Sequence, residues 1–134
     1  MSATAATTET LPDNFRRIRL ELAREPRHPE GDSRIGYSLV APLDSQGRLD
    51  AESWRAFKDK CRVVRFHSGQ DHEEGYLRRR PGGSWAFHYE FEDGGEDDDP
   101  AYRLGDHRFI HGEYVTIEED EGAHTYRVTK VERP

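Results

Sequence analysis

One cysteine, Cys61, stands among the 134 residues, so no internal disulfide can form and a reducing cytosol is the expected setting. Long apolar runs are missing too: no stretch approaches the about twenty residues that a bilayer-spanning helix needs. The opening "MSATAATTETLPDN" has neither a basic nor an apolar segment, so a soluble cytoplasmic protein is expected. Aliphatic side chains are few. Leu, Ile, Val and Phe together number 24, a share low enough to bring disorder into consideration. Catalytic signatures are absent as well: there is no G-x-S-x-G, no Walker A loop and no G-x-G-x-x-G. The net charge of −7 argues against general affinity for nucleic acid or anionic membranes, because phosphate neutralisation needs a basic field.

Aromatics supply what the aliphatics lack. Six Phe, six Tyr and two Trp recur in period-two patterns, which favours an ordered but shallow core built from strands. Residues 1–13 are small and polar with no apolar period and are expected to form a disordered tail, leaving 14–134 as a single domain. Ile18, Leu20 and Leu22 alternate with Arg17, Arg19 and Glu21 as a first strand. Tyr37, Leu39, Ala41 and Leu43 alternate as a second, with Pro42 suggesting a sheet edge. Asp50 can cap a short helix over about residues 51–60, in which Trp54, Phe57 and Cys61 share one face. From Cys61 onward the pattern is strand-like: "CRVVRFH", "YLRRR", "SWAFHYEF", "HRFIHGEYVTIEE" and "AHTYRVTKVE". The expected fold is mainly β: a small, antiparallel, partly closed barrel of about seven strands with one short helix.

The turn "RPGGS" sets a register. With Arg80 facing Ser84, Arg79 pairs with Trp85, Leu77 with Phe87 and Tyr76 with His88. Leu77, Trp85, Phe87, Tyr89 and Phe91 then point inward, with Arg79 at the rim over Trp85. Tyr76, Arg78, Arg80 and His88 point outward, as a candidate surface for a protein or an anionic ligand. The acids that follow, Glu92 to Asp99, do not fit a calcium loop and are expected to form a mobile, solvated loop over 92–100.

Histidines offer the one metal alternative. His107 and His111 are spaced i, i+4, but on an extended strand that spacing puts them about 13 Å apart, too far to share one zinc ion. A metal site therefore requires at least three of His67, His88, His107, His111 and His124 to converge through the fold. Cys61 is in phase with the helix core and is a poor nucleophile.

"NFRRIRLELARE", "RPGGSWAFHY" and "HGEYVTI" together resemble a family of small bacterial proteins, alphaproteobacterial in kind. The resemblance implies a free-standing cytosolic domain with no assigned activity, cofactor or catalytic residue. The expected function is a non-enzymatic binding or adaptor module, monomeric and without cofactor. A His-dependent metalloprotein or enzyme is the alternative, and a single-stranded nucleic-acid-binding barrel the second alternative.

Overall fold

The computed structural model describes residues 11–68, 72–90, 96–101, 104–119 and 122–134, with backbone placement alone for residues 90 and 96–101. Eight strands run in chain order: β1 (Phe15–Leu22), β2 (Asp32–Pro42), β3 (Arg62–Phe66), β4 (Glu73–Arg79), β5 (Trp85–Glu90), β6 (Glu96–Ala101), β7 (Tyr114–Glu119) and β8 (Gly122–Glu132). They form one antiparallel sheet in the order β6-β5-β4-β3-β2-β1-β8-β7. Each strand lies beside its chain neighbour except that β8 returns to β1 and that, among the described residues, no ladder joins β6 to β7. This is an up-and-down barrel left open at one seam.

Side-chain contacts record the curl. Tyr37 on β2 packs against Phe87 on β5 with ring centroids 5.0 Å apart and against Tyr126 on β8 at 5.2 Å. Those strands are not neighbours in the ladder, so their inner faces must close on a shared core. Ile18, Leu20, Tyr37, Leu39, Ala41, Val63, Phe87, Tyr89, Val115, Ile117 and Val128 are all buried there.

The register read from the hairpin turn is the observed one: Arg79 faces Trp85, Leu77 faces Phe87 and Tyr76 faces His88. Leu77, Trp85, Phe87 and Tyr89 are buried, and the Arg79 guanidinium sits 5.1 Å from the Trp85 ring centroid. Phe91 lies outside the described residues.

Four expectations need correction. The helix α1 spans only Ala51–Ala56, because Phe57 leaves helical geometry at φ −132 to meet Phe15 edge-on, with ring centroids 5.9 Å apart. A 3-10 turn over Lys58–Lys60 then delivers buried Cys61. Asp50 caps α1 as expected, accepting from the backbone of Glu52 and Ser53.

Pro42 does not mark an edge strand, since β2 lies between β1 and β3. It is tolerated because pairing with β3 ends at Leu39, leaving no ladder bond for its missing N–H. The sixth expected strand, over 107–119, begins only at Tyr114; the segment before it folds back, with Phe109 donating its backbone N–H to the Gly47 carbonyl and burying its ring.

Finally, residues 96–100 of the expected acidic loop lie in a strand, β6, paired residue by residue from Trp85↔Ala101 to Glu90↔Glu96. Residues 92–95 of that segment, and 1–10 of the expected tail, lie outside the described residues. Leu11, from the end of that tail, packs against the core.

The two ends of the barrel differ. One end is plugged: Trp54 of α1 packs edge-on against Trp85 at 5.5 Å and donates its indole N–H to the Leu77 carbonyl at 2.9 Å. Buried Leu104 and Phe109 complete that plug. The other end carries charge.

A candidate ligand site at the open end of the barrel

Strands bring their last inward-facing residues to this end. On β7 the phase that buries Val115 and Ile117 continues to Glu119, and on β3 the phase of buried Val63 continues to Arg65. Glu119 Oε2 accepts a hydrogen bond from the Tyr37 hydroxyl at 2.6 Å and a second from the Tyr126 hydroxyl. Arg65 Nε and Nη2 both reach Glu73 Oε1, while the guanidinium stacks 4.8 Å from the centroid of Tyr89. Ionic, hydroxyl and aromatic groups from six strands thus meet at one end.

The segment between β1 and β2 covers part of this rim. Glu25 spans two imidazoles: His124 Nδ1 lies 2.9 Å from Oε1 and His28 Nδ1 lies 3.3 Å from Oε2. The hydrogen bond with His124 is the main force holding the Glu25 carboxyl below its ordinary value of 4.5; burial opposes it and His28 adds to it. A depressed carboxyl stabilises the fold fully above its ordinary value, and that contribution disappears as pH falls through the lower folded value. Replacing Glu25 by Gln should therefore flatten the fall of the thermal midpoint below about pH 4.5, with a difference under about 1 kcal/mol because the pair is partly exposed. A pH series of melting curves on both proteins measures it, and parallel curves would show that the bridge contributes nothing.

Between these groups lies a cavity of about 570 Å³, lined by Leu22, Glu25, Arg27, His28, Ile35, Gly36, Arg65, Phe66, His67, Glu73, Glu119, His124 and Tyr126. Its volume is in the range of small-molecule sites.

The residues singled out from sequence fall in three places. Tyr76, Arg78 and His88 do share the outer face of the β4–β5 hairpin, and Arg80 lies beyond the ladder in the turn, its backbone N–H donating to Ser84. That face is less open than expected. His88 is only 7% exposed, because Tyr76 lies opposite it and the Arg78 guanidinium stands 3.1 Å from its Nδ1, where it can only donate. Tyr76 is in turn covered by Arg62, whose guanidinium carbon is 4.6 Å from the ring centroid.

His67 and His124 line the open end, whereas His88 is on the outer hairpin face and His107 and His111 lie in the segment before β7. The five do not converge, and among the described residues no three His, Cys, Asp or Glu side chains are placed to hold one metal ion. Cys61 is buried, and burial first, then the nearby Asp59 charge, push its thiol up to about 12.

Sequence reasoning missed Tyr37 as a hydroxyl donor, together with Glu25, His28, Arg65, Glu73, Glu119 and Tyr126. The available signal was a charged residue in phase with buried apolar ones at a strand's end. Among the described residues no helix is long and apolar enough to cross a membrane. No family model matches this chain, and neither the curated proteins nor the solved structures gave a match.

Proposed function

We propose that this protein is a non-enzymatic binding domain that takes a small polar ligand in the open end of its barrel. The observation that carries this reading is the asymmetry of the two ends. Trp54, Trp85, Leu104 and Phe109 fill one, whereas the other keeps a cavity of about 570 Å³ walled by hydroxyl, carboxylate and guanidinium groups. A barrel built only for stability has no use for charge turned inward. Buried Cys61, its thiol pushed up to about 12 by burial, is a poor nucleophile and serves the core instead. In this reading the protein is a bacterial, cytoplasmic monomer, in keeping with its single reduced cysteine.

The test is a panel of small polar fragments followed by backbone amide spectra of the full chain. Saturable shifts at Leu22, Arg65, Glu119 and Tyr126, with no chemical change in the fragment, are the expected result. Shifts confined to Tyr76, Arg78 and His88, or produced only by oligonucleotides in a salt-dependent way, would move the function to the outer hairpin face and reject the open end.

A further inference from the structure

We infer that the open end recognises an organic ammonium group, with Glu119 as its acceptor; this rests on the reading of that end as a ligand site. Three carboxylates line the cavity, and two have cationic partners within the protein. Glu73 has Arg65, and Glu25 has His124 and His28. Glu119 has none among the described residues: both of its hydrogen bonds come from neutral tyrosine hydroxyls, and both fall on Oε2. Two hydroxyls on one oxygen fix the direction of the carboxylate without neutralising it. Its other oxygen, Oε1, receives no hydrogen bond from a described residue.

The surroundings suit a cation. The Tyr126 ring lines the cavity beside the carboxylate, held edge-on by buried Tyr37 at 5.2 Å, and aromatic rings attract an ammonium group as well as an alkyl stem. A bare metal ion is the poorer occupant, because among the described residues no three His, Cys, Asp or Glu side chains are placed to hold one. The cavity of about 570 Å³ has room for an organic body behind the charged group. Arg65 on the same wall is already committed to Glu73 and the Tyr89 ring, so it does not cancel the Glu119 charge through a pair of its own.

The experiment compares n-butylamine and methylguanidine with n-butanol, acetate and calcium chloride, each titrated into the full chain while backbone amides are followed. The amine or guanidine should give saturable shifts at Glu119, Tyr126 and Tyr37 that the alcohol of the same shape does not give. Glu119→Gln should weaken them about tenfold or more, as loss of a charge-assisted bond does, while Glu113→Gln on the exposed turn should leave them unchanged. The comparison of amine with alcohol in the unaltered protein stands even if Glu119→Gln does not fold. Equal binding of butanol and butylamine, preference for acetate or calcium, or insensitivity to Glu119→Gln would overturn the ammonium inference and leave the open end as a site. Absence of any shift at the open end with every probe, including the wider fragment panel, would overturn both.

Discussion

Replacing Phe87 by alanine is expected to cost about 3 to 5 kcal/mol, a large part of the stability of a domain this size. Phe87 is fully buried on β5, opposite Leu77 and 5.0 Å from the ring of Tyr37. It lies near the middle of the closed interior, between the plug at one end and the polar groups at the other. Strands tied on both sides cannot move in to fill the space it leaves. Removal therefore loses both the transfer energy of the ring and the contacts of a cavity that stays open. Denaturant unfolding reads the change as a lower midpoint at constant slope. A loss below about 1 kcal/mol would mean that the ring is not enclosed as described.

Gly36→Ala should be comparably damaging for a different reason, with an expected loss of about 3 kcal/mol or more. Gly36 sits on β2 opposite Glu21 and Phe66, next to the irregularity between Glu21 and Leu22 on β1. A Cβ there would come closer than 3.0 Å to the Leu20 carbonyl oxygen and within 3.1 Å of the Phe66 ring. The first obstacle is backbone already committed to the sheet, so β1 and β2 would have to part. Gly82 at the hairpin tip is the control. It has φ +93 but open space around it, so alanine there should cost only about 1 kcal/mol, the penalty of a left-handed conformation. Equal losses at the two positions would show that close approach at Gly36 is not the cause.

How far the sequence could be read depended on distance along the chain. The β4–β5 register followed from the "RPGGS" turn because a tight turn fixes which residues face each other, and alternation then assigned Trp85, Phe87 and Tyr89 to the interior. The acidic strand β6 was illegible for the opposite reason. Its side chains argue for a loop, yet the free edge of β5 offers backbone partners to any extended chain, and six ladder positions are taken up. The open-end cluster was harder still, since Tyr37 and Glu119 are 82 residues apart and Glu25 and His124 are 99 apart. Only the barrel's curl brings them together, and single-strand patterns carry no record of it. The sequence singles out His67 and His124 as histidines, but nothing in it marks Glu25, Glu73 and Glu119, the carboxylates that give the end its character.

The strand order also bears on how the molecule is made. Every ladder but one joins strands that follow each other in the chain, so those hairpins can close as they emerge during synthesis. β1 is the exception: it pairs with β2 on one side, but its other side waits for β8, roughly a hundred residues downstream. Throughout the synthesis of β2 to β7 the Phe15–Leu22 segment presents bare backbone donors and acceptors, the kind of edge on which nascent chains stick to one another. Arg16, Arg17 and Arg19 stand along that segment. Like charges on two such edges repel, so these arginines protect the half-made chain at the one place where its own partner arrives last.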